Sequence, residues 1–192
     1  MKNMDYGGYI TMDGTIRMAT LEDAEAILAI YEPYILETAI TFEYDKIPIE
    51  QFRERMAKVM EQFPWLVYEE EGKILGYAYG SKFKERAAFG WDCECSVYLD
   101  REVKHRGIGT KLYKVLIDLI QRMGYVNLYA LLTYPNEASM ALHEKFGFTK
   151  VGIYQKTGYK FGQWWDLLVM EKRIGSVDGE PGVVKSIGEI LL

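Results

Sequence analysis

Two stretches early in the chain repeat apolar residues at helical spacing: LEDAEAILAIYEPYILE over 21–37 and IPIEQFRERMAKVMEQF over 47–63. Pro33 is expected to kink or split the first, and Pro48 to lie in the opening turn of the second. Before them IRMAT (16–20) reads as a strand. After them WLVYEE (65–70), a turn at Glu71-Gly72-Lys73 and ILGYAYGSKF (74–83) read as a hairpin.

The stretch AFGWDCECSVYL (88–99) alternates strictly, with Trp91, Cys93, Cys95, Val97 and Leu99 on one face and Asp92, Glu94, Ser96 and Tyr98 on the other. Next, Ile108, Leu112, Val115, Leu116, Leu119 and Met123 mark one face of a long helix that should stop near Gly124. VNLYALLT (126–133) is a strand and NEASMALHEKFGF (136–148) a short helix ending at Gly147. TKVGIYQKTG (149–158) and QWWDLLVMEKRI (163–174) form a final strand pair. The order βααβββαβαββ puts one parallel crossover inside an otherwise antiparallel sheet. The fold class is α+β, a mixed, mostly antiparallel central sheet flanked by helices. Residues 1–15 read as an N-terminal extension, 16–173 as the domain, and 174–192, Gly-rich and then apolar, as a C-terminal appendage.

Composition narrows the partners. The net charge of −5 and pI near 5.2 argue against a nucleic-acid or anionic-membrane binder, which needs a basic excess. No apolar run has membrane-spanning length, and the opening MKNMDYGGYITMDG lacks the apolar core of a signal peptide. Cys93 and Cys95, one residue apart, would form a strained disulfide, so reduced thiols in a cytoplasmic protein are expected. His105 and His143 are too far apart to suggest zinc, and no metal site is expected.

Charge is concentrated at one place. Residues 101–114 hold five Lys or Arg against a single Glu, just ahead of the long helix. Gly107 and Gly109 bare the backbone on both sides of Ile108, so a bulky anion can reach amide N–H groups at the helix start. The spacing is neither the dinucleotide fingerprint nor a P-loop.

The run Lys104-His105-Arg106-Gly107-Ile108-Gly109 does resemble the acyl-CoA loop of the GNAT acetyltransferase superfamily, Gln/Arg-x-x-Gly-x-Gly/Ala, with Lys104 replacing the usual first residue. Asn136 at the start of the next helix and Gly147-Phe148 at its end extend the likeness, and 16–173 follows the family's element order. Within the family, TAITFE (38–43), KERAAFGWDCECSVYL (84–99), His143 where most members carry Tyr, and TGYKFGQWWD (157–166) resemble the phosphinothricin acetyltransferase branch.

The resemblance implies acetyl-CoA as cosubstrate, held by amides from His105 to Thr110 with Lys104 and Arg106 beside them and Asn136 opposite. The backbone of Val97, Tyr98 and Leu99 would pair with the pantetheine arm. It implies Glu94 as general base and His143 as a second acid or base; both types can take the proton that an α-ammonium must lose before it attacks. Tyr134 and Tyr98 are alternative proton donors, and a backbone N–H near 97–99 would face the oxyanion. Cys93 and Cys95 lack an activating partner, which favours direct attack over a cysteine relay. Arg86 and Lys84 match the branch's basic pair for a carboxylate or phosphinate. Phe42, Tyr159 and Trp164 would wall the acceptor pocket, and a homodimer would complete it. The expected activity is N-acetylation of a small amino acid such as phosphinothricin, methionine sulfoximine or methionine sulfone. The alternatives are a small-amine or polyamine acetyltransferase and a non-catalytic acyl-CoA sensor.

Overall fold

The computed structural model describes residues 9–10, 13–103 and 106–191. They form one sheet of eight strands with five α-helices, counted among the described residues. Strand β1 (Tyr9–Ile10) pairs with β2 (Thr15–Met18). A 3-10 turn (Leu21–Asp23) leads into α1 (Ala24–Glu37), followed by α2 (Ile49–Met60). Strands β3 (Trp65–Glu70), β4 (Lys73–Lys82) and β5 (Asp92–Leu99) form a meander. Then come α3 (Ile108–Met123), β6 (Asn127–Tyr134), α4 (Glu137–Lys145), β7 (Thr149–Lys160), β8 (Gln163–Arg173) and α5 (Ile187–Leu191). This is the expected order with β1 and α5 added at its ends, and the sheet runs β1-β2-β3-β4-β5-β6-β8-β7. β5 and β6 are the parallel pair.

Two helix expectations need correction. α1 is one element that passes through Pro33 rather than splitting there. A mid-helix proline removes one bond to the fourth residue back and typically destabilises by about 3 kcal/mol. Here Ala29, which loses that bond, is exposed, and buried Ala24, Ile27, Leu28, Ile30, Tyr31 and Ile35 hold the helix on both sides of the break. Pro48 stands at the cap position before α2, where its missing N–H is also no loss.

Both faces of the sheet are covered. α3 buries Leu112, Val115, Leu116, Leu119 and Met123 against Cys93, Cys95 and Leu128. On the other face α1 and α2 pack over Trp65, Val67 and Tyr77, with Tyr79 and Tyr98 at the margin. The Tyr98 end of the polar face of β5 is therefore covered by helices rather than left to solvent.

Residues 175–191 lie against the domain. The Lys185 N–H donates to Met123 O at 2.8 Å, the Ile187 N–H to Gln62 O at 2.9 Å and Trp91 Nε1 to Gly182 O at 2.7 Å. Ile187 is buried in the α3 core. At the far edge, β7 meets β8 with breaks in register at Lys150/Gly152 and Tyr154/Gly158.

Candidate active site

β5 and β6 pair only over Asp92, Cys93 and Glu94 with Asn127, Leu128 and Tyr129. Past Glu94 the strands part. β5 continues to Leu99 against β4, and β6 continues to Tyr134 against β8. The backbone on the β5 side of the gap can be assigned by alternation. The Gly80 N–H donates to Pro64 O on the strand's other flank at 3.1 Å, so the peptide of Cys95, opposite Gly80, turns away from β4. The Asp100 N–H donates to Leu75 O at 2.9 Å, which fits the same phase. Cys95, Val97 and Leu99 thus point their N–H and C=O groups into the gap. The Leu99 carbonyl is already taken, by the Tyr34 hydroxyl at 2.7 Å.

A groove of about 1200 Å³ opens here. Val97, Tyr98 and Leu99 form one wall, Tyr34 and Ile40 a second, and Gly109, Asn136 and Leu142 a third. The helix start at its end is open. Gly107, the N-cap of α3, has φ 68°, a left-handed conformation suited to glycine, and a Cβ there would meet nothing within 4 Å. Asn136 caps α4, its Oδ1 accepting from the Ser139 N–H at 3.2 Å. Ile108 is buried in the core. Arg106 forms an ion pair with Glu70 at 2.6 Å, and Thr110 accepts a hydrogen bond from Lys145 at 3.4 Å. Lys104 and His105 lie outside the described residues. With Arg106 paired to Glu70, the α3 amides are the donors that the described residues offer to an anion here.

Glu94 sits where β5 and β6 last pair, beyond the residues that line the groove. Its half-buried carboxylate makes no hydrogen bond or ion pair with a described residue, and desolvation raises its pKa above the ordinary 4.5. Such a group holds its proton more readily than a surface carboxylate and is a competent base nearer neutrality.

His143 is 2% exposed and is not part of the groove wall. Its Nδ1 donates to Ser139 O at 2.7 Å, so its Nε2 accepts from the Tyr113 hydroxyl, also at 2.7 Å. Burial lowers the pKa of this imidazole, which favours the neutral ring. A proton reaches Nε2 only if the Tyr113 bond reverses. Tyr113, a buried helix residue thirty positions from His143, was not legible from sequence as its partner. Tyr98 packs its ring among Tyr31, Tyr34 and Tyr77, while the Tyr134 hydroxyl bonds to no described residue.

The acceptor-side candidates fall in two places. Phe42, in the loop after α1, nests on Gly158, where a Cβ would come within 2.4 Å of its ring. Lys84 and Arg86 are exposed in the loop before β5; Lys84 lies over the rings of Phe83 and Phe89 at 4.9 and 4.8 Å, and the Arg86 guanidinium bonds to no described residue, while its carbonyl accepts from the Phe89 N–H at 3.0 Å. Phe83 in turn stacks on Tyr129, the register partner of Glu94, at 3.9 Å. Tyr159 and Trp164 pack against each other on the outer surface of the β7–β8 hairpin, 47% and 59% exposed.

Residues 16–169 match the acetyltransferase (GNAT) domain family. The chain is 32% identical over 152 residues to the phosphinothricin N-acetyltransferase of Streptomyces viridochromogenes, covering 79% of this chain and 83% of that one. It is 33% identical over 161 residues to the L-methionine sulfoximine/L-methionine sulfone acetyltransferase of Salmonella typhimurium, covering 83% and 94%. The fold matches the crystal structure of a GNAT phosphinothricin acetyltransferase from Sinorhizobium meliloti in complex with AcCoA. That match has a TM-score of 0.85 at 30% identity and covers 89% of this chain and 94% of the other. The parted strands, the glycine-opened helix start and these likenesses agree: the chain belongs to the GNAT acetyltransferase family, in its phosphinothricin N-acetyltransferase branch.

Proposed function

We propose that this chain transfers the acetyl group of acetyl-CoA to the α-amine of a small amino acid or analogue of the phosphinothricin, methionine sulfoximine or methionine sulfone type. The observation that carries the reading is the unpaired, half-buried Glu94 carboxylate at the closed end of a gap whose wall is bare backbone. Relatives of this chain bear names for these acceptors, and one neighbour was solved with AcCoA.

Acetyl-CoA suits this chain's own groups. Val97 and Cys95 offer a strand edge to the amides of the pantetheine arm, and the amides after Gly107 offer donors to a diphosphate. When bound, it supplies an acetyl group activated as a thioester. Glu94 then takes the proton of the acceptor ammonium, directly or through water, freeing the lone pair. A gap-facing N–H of β5 steadies the acetyl oxygen as it gains charge. We assign the return of a proton to the departing sulfur to Tyr134, at the end of β6, whose hydroxyl bonds to no described residue. His143 acts through Tyr113, keeping α3 and α4 in register below the groove.

Arg86, exposed in the loop before β5 with its guanidinium bonded to no described residue, is the cation for an acceptor carboxylate or phosphinate, with Lys84 beside it. Val151, Ile153, Tyr154, Tyr159, Phe161 and Trp164 are exposed apolar residues gathered on the β7–β8 hairpin. They support a homodimer that brings Tyr159 and Trp164 to the partner's acceptor pocket. The free buried thiols of Cys93 and Cys95 fit a cytoplasmic location.

The test is release of CoA thiol from acetyl-CoA with phosphinothricin, methionine sulfoximine, methionine sulfone and spermidine in turn. Turnover with the three amino acids and none with spermidine is expected. Turnover confined to spermidine, or none with any of the four, overturns the reading.

A further inference from the structure

Lys160 is a lysine in an unusual place. It ends β7, yet it is 2% exposed, and among the described residues no carboxylate lies within ion-pair distance, although Glu43 of the same loop attracts it from farther off. Its ammonium donates instead to two main-chain oxygens, Ile35 O at 2.7 Å and Thr41 O at 2.8 Å. Ile35 lies in the last turn of α1, where carbonyls lack helical partners and the helix dipole favours a cation. Thr41 lies in the loop that joins α1 to α2 and carries Phe42.

The two ends of this contact belong to different halves of the sheet. α1 packs on β4 and β5, whereas β7 sits beyond β8 on the β6 side. Those halves share only the short β5–β6 pairing and have separated past Glu94. The loop after α1 therefore bridges the gap, and the far side grips it repeatedly. On β6, the Thr133 hydroxyl donates to Ala39 O at 2.5 Å. On β7, the Tyr159 carbonyl accepts from the Tyr44 hydroxyl, and Gly158 receives the Phe42 ring. Lys160 adds the one charged grip in this set. An ammonium buried at such cost in desolvation is held by the carbonyls it satisfies, and removing it leaves both carbonyls unpaired.

We infer that Lys160 is a positioning residue for the acceptor side of the reaction, a strut that fixes the α1–α2 loop and Phe42 across the gap between the two half-sheets. The inference rests on the proposed reading for its kinetic consequence, though not for its structural one. The main-chain groups offered to acetyl-CoA come from β5 and the start of α3, away from the strut; only Ile40 of the strutted loop reaches the groove wall.

Lys160→Met keeps most of the stem and removes the charge, and Lys160→Arg restores a cation. With methionine sulfone as acceptor, Lys160→Met is expected to raise the acceptor KM tenfold or more while the acetyl-CoA KM stays within twofold, and Lys160→Arg to recover part of the loss. A general loss of stability would not separate the two KM values. Thr133→Val, which cuts the neighbouring tether, should shift the acceptor KM in the same direction and serves if Lys160→Met does not fold. An acceptor KM within twofold of wild type in the folded variants, or equal rises in both KM values, overturns the inference. Amide hydrogen exchange reads the strut without any acceptor: in the variants protection should fall in residues 38–47 before it falls in α3. If wild type fails to acetylate amino acids but this local loss is seen, the proposed acceptor is wrong and the strut stands. Unchanged protection over 38–47 removes the strut.

Discussion

The Tyr113 hydroxyl and the His143 Nε2, thirty residues apart in sequence, meet at 2.7 Å inside the core between α3 and α4. With Nδ1 donating to Ser139 O, the ring is fixed as its Nδ1–H tautomer and has no free valence. Tyr113→Phe leaves a buried acceptor unpaired and should destabilise the protein by about 1–3 kcal/mol in urea unfolding. The His143 pKa is lowered from 6.5 by burial, so folding favours the neutral ring. The stability this gives is complete above the ordinary value and is lost as pH falls through the lowered one. Between pH 7 and 5 wild type should therefore lose more stability than His143→Gln, measured by parallel unfolding at each pH.

Glu94 has the opposite sign. Its pKa is raised by desolvation, so the folded protein favours the protonated acid and is penalised for the carboxylate once pH exceeds the raised value. Glu94→Gln should unfold at a higher temperature than wild type at pH 7.5, with the difference shrinking as pH is lowered towards the ordinary carboxylate range. The same substitution removes the proton acceptor and should lower kcat by about 10²- to 10⁴-fold at neutral pH. Part of the rate should return at high pH, where more of the acceptor amine is already free. Calorimetry and a kcat–pH profile on one preparation check both halves.

The tail is a third test. Ile187 is buried against α3, and residues 182–187 bond to Trp91, Met123 and Gln62. Ile187→Ala should destabilise by about 2–5 kcal/mol, as large-to-small changes in packed cores do. The acetyl-CoA KM should stay near wild type, because nothing in 182–187 lines the groove.

Local chemistry made most of the fold legible. Strict alternation from Trp91 to Leu99 identifies β5, the spacing from Ile108 to Met123 identifies α3, and Glu71-Gly72, with both φ positive, closes the β3–β4 hairpin as its sequence suggests. The passage of α1 through Pro33 was not legible, because tertiary packing decided it. Nor was the docking of 175–191, whose composition reads as a loose end although its main chain is bonded. In the site, Gly107 and Gly109 announce themselves by bare backbone at a helix start. Side-chain partnerships across long separations do not. Nothing near Tyr113 points to His143, and a lysine in the run Gly158-Tyr159-Lys160 reads as solvated until α1 is seen to end above it.

β7 is the outermost strand of the sheet, and outer strands can recruit further chains through their unpaired main-chain groups. Here its twelve residues are cut by two slips in pairing, and Lys156 adopts a left-handed conformation inside the second. No flat template of useful length survives. A further strand that met this border would find its main-chain ladder interrupted at both slips, so the backbone itself disfavours extension of the sheet here.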